Sequence, residues 1–357
     1  MNKTMEDYIS ETAETLSANI DNRRDLTKAL IGRLKKEKLD TGKTIVFVAS
    51  GSSYNAVQSA LMFMNKYLKN TVRLISPFAF CYYENIIDNN IYLFVSQSGC
   101  STNIVEAVKK YQQMGGYAFA ILGNCDTTLA KLADAAAPYG VGEETVGYVT
   151  KGVTTLTGFC MITALELAAE GMDKAAYEDV LKELKTAASN HFKVYEQVKT
   201  FCRTNEKAFL AMEHVILMGG GANMGTIREG ALKLAEMLHI QTTYYEAEEF
   251  IHGPNLQVTP QYTLFFVDGQ DAAGKRVKEI QSAAKEITDK SFLISASEWN
   301  LVQTDETLTP LYLTAFFQYL ACWAARELDI NGEHPFYKRF KEHVQNKTAD
   351  YQDDNPF

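Results

Sequence analysis

Thr44-Ile45-Val46-Phe47-Val48-Ala49 runs without a break into Ser50-Gly51-Ser52-Ser53, and from Asn55 onward the sequence turns helical. A short apolar run rich in β-branched residues predicts a buried strand, and the small polar residues behind it predict a tight turn into a helix. The same order recurs. Ile91-Tyr92-Leu93-Phe94-Val95 leads into Ser96-Gln97-Ser98-Gly99 and a helix from Thr102 to Met114, with Ile104, Val108 and Tyr111 on one face. Gly115-Gly116 stops that helix as a left-handed C-cap would. Tyr117 to Leu122 is a third predicted strand, closed by Gly123-Asn124. Strand, polar loop and helix in repetition specify a parallel sheet covered by helices, the α/β class.

The pattern then restarts. Val215-Ile216-Leu217-Met218 enters Gly219-Gly220-Gly221, Thr263-Leu264-Phe265-Phe266-Val267 enters Asp268-Gly269, and Ser291 to Ser295 makes a further strand. Each lies roughly 170 residues after its counterpart, which reads as a degenerate duplication of one α/β domain. The expected organisation is a helical segment over 1–40, a first domain over 41–195, a second over 200–330 and a tail over 331–357. The join falls near Asn190 to Asn205, after a helical, charged stretch from about Gly158 to Lys207. The tail, with Gly332, Pro335, Phe336, Tyr337, Phe340 and Tyr351 among charges, reads as a docked strap.

A chain of 357 residues is longer than one core usually serves, in keeping with two domains. Its 44 acidic and 35 basic residues leave a formal charge of -9, which argues against a nucleic-acid binder. An anionic substrate must therefore be attracted locally, by amides, hydroxyls and helix N-termini. Cys81, Cys100, Cys125, Cys160, Cys202 and Cys322 are scattered singly, without metal or redox spacing. No metal or cofactor is expected. Thr163 and Glu166 interrupt the apolar run from Phe159 to Ala169, and no apolar signal core follows Met1. A cytoplasmic protein without a membrane partner is the expectation.

In open parallel sheets ligands sit at the carboxyl ends of the strands. There, Ser50 to Ser53 and Ser96 to Ser101 are rich in hydroxyls: small residues let backbone approach an anion, hydroxyls donate to it, and the helix that follows adds partial positive charge. Serines cap helices everywhere, but two such loops on consecutive strands favour a phosphate site. Gly219 to Gly225 reads Gly-Gly-Gly-Ala-Asn-Met-Gly, which misses the Gly-x-Gly-x-x-Gly spacing, so a dinucleotide is not expected.

Four stretches, taken in order, carry a resemblance: Ala49 to Ala56, Ser96 to Gly99, Glu229-Gly230-Ala231-Leu232-Lys233-Leu234-Ala235-Glu236, and Glu249-Phe250-Ile251-His252-Gly253-Pro254. From about Asp40 to Asp329 the chain resembles the tandem sugar isomerase (SIS) family. Within it, the likeness is to the isomerase half of glucosamine-6-phosphate synthase and to the fructosamine- and glucoselysine-6-phosphate deglycases. The resemblance implies two flavodoxin-like domains, with phosphate held by Ser52, Ser53, Ser96, Gln97, Ser98 and Ser101. It implies Glu236 as the proton-transfer base and His252 as the ring-opening acid/base, reaching the site from a neighbouring subunit of a homodimer. Glu249 is a further candidate, and Lys341 stands in, one residue out of register, for a C-terminal lysine that bonds to open-chain sugar. The family's Ala-Ser-Thr-Lys loop becomes Tyr148-Val149-Thr150-Lys151.

Glu236 falls opposite the apolar stripe of Ile227, Ala231, Leu234 and Leu238 on a predicted helix over about Thr226 to His239. In its last turn, the carbonyl end of the helix should raise the carboxyl pKa toward that of a useful base. His252 precedes Gly253-Pro254 in a predicted loop, and its imidazole is the side-chain type that proton shuttling to sugar oxygens calls for. No N-terminal glutaminase domain is expected ahead of the first strand, so ammonia from glutamine is not the expected nitrogen source. The expected activity is deglycation of a phosphorylated amino-acid adduct. The alternatives are isomerisation or deamination of a sugar phosphate, and a non-catalytic sugar-phosphate-binding regulator.

Overall fold

The computed structural model describes residues 3–351 apart from Lys38, Asp40, Thr41, Asp88, Asp271, Asn331 and Glu333. Two helices come first, α1 (Met5–Asp21) and α2 (Arg23–Lys36). Thr4 caps α1 reciprocally with Asp7, as a capping box should. Next follow β1 (Thr44–Val48), α3 (Gly51–Tyr67), β2 (Val72–Ile75), α4 (Pro77–Tyr82), β3 (Asn90–Ser96) and α5 (Thr102–Gln113). β4 (Phe119–Leu122), α6 (Thr128–Leu132) and β5 (Ala135–Pro138) complete a five-stranded parallel sheet, ordered β2-β1-β3-β4-β5. That is the flavodoxin-like order.

Two long helices, α7 (Lys151–Ala168) and α8 (Lys174–Thr204), and the short α9 (Glu206–Leu210) lead into the second unit. It contains β6 (His214–Gly219), α10 (Met224–Leu238), β7 (Gln241–Glu246), α11 (Ala247–Ile251), β8 (Tyr262–Asp268), α12 (Gly274–Ala284) and β9 (Ser291–Ser295). The sheet order β7-β6-β8-β9, all parallel, repeats the first four strands of the flavodoxin-like order. α13 (Pro310–Glu327) and α14 (Pro335–His343) close the chain.

The six strands expected from apolar runs are all present, and β2, β5 and β7 are additions. β2 carries Arg73 and is mostly half-buried, β5 is Ala-Ala-Ala-Pro, and β7 opens on Gln241-Thr242-Thr243, so none shows an apolar run. The helical segment before β1 is broken at Asn22, whose φ of -90° and ψ of 15° leave helical geometry. The apolar run near Phe159 also extends further than expected. The helical span Lys151–Gly171 is long and apolar enough to cross a membrane, yet 78% of its most apolar window is buried. It is covered by α1, α2, α3 and α13, the surroundings of a core helix.

One large apolar core runs through both halves, from Ile45 and Phe47 of β1 to Phe265 of β8 and Phe316 of α13. α3 packs on α10 across the join, and at Gly225 the two helices leave no room for a side chain. A Cβ there would lie 2.1 Å from Ser59 Oγ and 2.4 Å from the Asn55 carbonyl oxygen. Backbone cannot rotate away as a side chain can. Gly225→Ala is therefore expected to lower the unfolding free energy by about 1–3 kcal/mol in urea denaturation, the usual cost of overpacking. Gly32→Ala on α2, where the added Cβ meets nothing within 4 Å, should be neutral or stabilising. Equal effects at the two positions would contradict this packing.

Candidate active site

The loops after β1 and β3 leave the first sheet at the point where its strand order reverses, and they line a cavity of about 1220 Å³. Ser52, Ser53, Ser96, Gln97, Ser98 and Ser101 all border it. The second half contributes Lys233 and Glu236 from α10, and the tail contributes Tyr337, Lys341 and Lys347. His252 and Glu249 are exposed at the end of α11 and do not line this cavity in their own chain.

The β3–α5 loop is held from within. Ser96 Oγ accepts from the Gly99 amide at 3.2 Å and donates to Ser101 Oγ at 3.3 Å, while Ser98 Oγ accepts from the Cys100 amide. Gly99 has φ +62°, and a Cβ there would lie 2.1 Å from Thr127 Oγ1, so glycine is required on both counts. The Gln97 side chain is already engaged by protein. Its Nε2 donates to Glu144 at 2.6 Å and its Oε1 accepts from Tyr139 at 2.8 Å.

Glu144, which the sequence reading passed over, is an internal anion at the start of α7. Its two oxygens accept from the amides of Thr150 (2.7 Å), Lys151 (2.8 Å) and Gly152 (2.8 Å) besides Gln97. Burial pushes its carboxyl up, and these donors pull it back only in part. Lys151 turns away from the cavity to Glu11 at 3.3 Å, whereas Tyr148 and Val149 line the wall.

On α10, Glu229, Lys233 and Glu236 lie at helical spacing, and the first two are 1% exposed. Lys233 Nζ lies 3.4 Å from Glu229 and 2.6 Å from Glu236. Glu229 in turn accepts from Ser52 Oγ and Asn55 Nδ2 of α3, each at 2.9 Å. Ser52, expected as a phosphate ligand, is thus spent on this network. Burial works to lower the Lys233 pKa, but Glu236 and Glu229 outweigh it and hold the ammonium charged. For Glu236 burial is the larger influence and raises its carboxyl despite Lys233. The expected direction is met, with burial in the place assigned to the helix end. Glu236 keeps 30% of its side chain exposed, enough to reach a ligand.

The corresponding strand end in the second sheet carries no hydroxyl loop. Asp268, 1% exposed, accepts there from the Gln270 amide at 2.7 Å and Ser295 Oγ at 2.9 Å, and pairs with Lys278 at 3.0 Å. A second cavity, of about 760 Å³, lies on the other side of the start of α3. Its wall includes Arg228, stacked near Tyr54 and Tyr244 and donating to Asn55.

No family model matches the chain. Among curated proteins it is 26% identical over 302 residues to a glutamine–fructose-6-phosphate aminotransferase (isomerizing) of Bacteroides thetaiotaomicron, a match covering 80% of this chain and 49% of the relative. The chain therefore spans about half the length of the curated relatives it matches. Among solved structures, a candidate phosphosugar isomerase from Clostridium difficile 630 superposes with a TM-score of 0.84 at 23% identity, covering 98% of this chain and all of that one. The C-terminal domain of glucosamine-fructose-6-phosphate aminotransferase from Francisella tularensis gives 0.79 at 22% identity, covering 90% and 95%. In fold, two parallel sheets flanked by helices, the chain is similar to these phosphosugar isomerase and aminotransferase-domain structures.

Removing the Glu144 carboxylate would strand three buried amides and free Gln97. Glu144→Ala is expected to cost about 1–3 kcal/mol in chemical denaturation, the usual penalty for unpaired buried groups. A change within about 0.5 kcal/mol would mean that the carboxylate does not hold this wall.

Proposed function

We propose that the chain is a sugar-phosphate enzyme that deglycates a phosphorylated fructosamine or glucosamine-type adduct, releasing hexose 6-phosphate and a free amino acid. The observation that carries this reading is the position of Glu236. A carboxyl with a raised pKa, paired with a buried lysine, faces the same cavity as two hydroxyl-rich loops. The curated relatives act, by name, on fructose 6-phosphate, which supports a hexose phosphate as the ligand core. A volume of about 1220 Å³ leaves room beside it for an attached amino acid, against the tail residues Tyr337 and Lys341.

In this reading Ser98, Ser101 and their neighbours hold the phosphate, which sets C1 and C2 of the open-chain sugar near Glu236. The carboxylate takes the C1 proton of the ketosamine, leaving an enaminol, and a proton returned to C2 gives the C1 imine. Water adds at C1, the carbon–nitrogen bond breaks, and amine and aldose 6-phosphate leave. Lys233 keeps the carboxylate available as a base and steadies it between transfers. His252, from a second copy of the chain in a homodimer, would open the sugar ring.

Three substrates test the reading: fructoselysine 6-phosphate, glucoselysine 6-phosphate and glucosamine 6-phosphate, with free amine and hexose phosphate both measured. Release of lysine with hexose phosphate is expected. Turnover of glucosamine 6-phosphate alone would mark a deaminase, and tight binding without turnover of any of them a regulator. Glu236→Gln should lower kcat by about 10²-fold or more while sparing binding, as loss of a general base does. Because the base works ionised and its pKa is raised, the wild-type rate should fall as pH drops through a limb lying above the ordinary carboxylate value of 4.5. Mixing Glu236→Gln and His252→Asn chains, then re-forming dimers, should restore about a quarter of wild-type turnover if sites are shared.

A further inference from the structure

The loops read as the phosphate site supply hydroxyls and amides but no cation of their own. Three lysines border the cavity. Lys233 is held between Glu229 and Glu236, and Lys341 Nζ lies 4.7 Å above the Tyr337 ring. The third, Lys347, comes from the end of the chain. Its Nζ donates to Ser98 Oγ at 2.9 Å, at the centre of the β3–α5 loop.

This placement is built by backbone. The segment after α14 lies antiparallel to the loop, with a β-bridge between Ser101 and Lys347. The Thr102 amide donates to the Asn346 carbonyl at 3.2 Å, and the Thr348 amide donates to the Cys100 carbonyl at 2.8 Å. Asp350 adds an anchor by accepting from Thr128 Oγ1 at 2.6 Å, and it lies 3.8 Å from Cys100 Sγ. The Asp350 carboxylate is thereby engaged at the start of α6. Backbone bonds on both sides of Lys347 fix where its side chain begins, and the Tyr351 ring, 4.7 Å from Nζ, lies alongside it.

We propose that Lys347 is a phosphate-binding residue of this site: the strap inserts its ammonium beside Ser98 so that the substrate phosphate is gripped by hydroxyls and one ammonium. The proposal rests on the reading of the β3–α5 loop as the phosphate site. Its chemical reason is the charge balance. A dianionic monoester entering a chain of formal charge -9 gains a paired counter-charge without the loop itself having to carry a lysine. Ser98 Oγ, by accepting from that ammonium, holds it at the loop.

The test measures fructose 6-phosphate binding to the full chain by calorimetry at several salt concentrations. Wild type is compared with Lys347→Met, Lys347→Arg and the double variant Ser98→Ala/Ser101→Ala. Lys347→Met should weaken binding about 10- to 100-fold, the usual range for losing one charge-assisted hydrogen bond, and should flatten its salt dependence. Lys347→Arg should retain most of the affinity. Hydrogen exchange at the Thr348 amide reports whether the strap still docks. Wild-type affinity in Lys347→Met, alongside lost binding in the serine variant, would overturn the role of Lys347 and leave the phosphate loop standing. Wild-type affinity in the serine variant would remove the loop reading and this proposal with it. Weakened binding with a released strap in both lysine variants would make Lys347 a structural latch, which also overturns it.

Discussion

Lys233 is a buried ammonium, and the joining of the two halves around one cavity depends on how it is neutralised. An isolated charge at 1% exposure would be prohibitively costly. Glu229 and Glu236 supply the counter-charges from its own helix, and Ser52 and Asn55 of the first half complete the hydrogen bonding of Glu229. Buried ion pairs of this kind add little net stability but are costly to break on one side. Their effect here is geometric. They fix α10 against the start of α3, and so fix Glu236 beside the loops that leave β1 and β3.

The two sheets differ in what their strand ends do. After β3 the chain has a loop of serines around Gly99, open to the cavity. After β8, Asp268 fills the equivalent place with its own carboxylate, bonded to Ser295 and Lys278. One half thus presents donors to a ligand while the other satisfies its strand end internally and contributes α10. Glu144 shows the same device inside the first half, where a side-chain anion completes the start of α7 and orients Gln97.

Much of this was legible in the residues. β1, β3, β4, β6 and β8 announce themselves as apolar runs because both of their faces are buried, and β9 does so through Phe292, Leu293 and Ile294 although the first two are half-buried. β2, β5 and β7 do not, since Arg73, the alanines of β5 and the threonines of β7 are compatible with a strand without demanding one. The two serine loops and Glu236 were readable from position and motif, and all of them border one cavity. The roles of Ser52 and Gln97 were not, because their partners Glu229, Glu144 and Tyr139 lie far along the chain. Glu229 and Lys233 belong to the same stretch, Glu229 to Glu236, that carries the family resemblance. The one signal for them was three charges at i, i+4 and i+7 on a helix that is otherwise buried. Lys347 had no sequence signal at all, since only the docking of the strap brings it to Ser98.

A crystal structure of the chain with fructose 6-phosphate bound tests the central claim most directly, because the molecule offers two cavities with different chemistry. The phosphorus atom is expected over the β3–α5 loop, within hydrogen-bonding reach of Ser98 and Ser101, with the C1–C2 edge of the sugar facing Glu236. Phosphate bound instead beside Arg228, between Tyr54 and Tyr244, would contradict it.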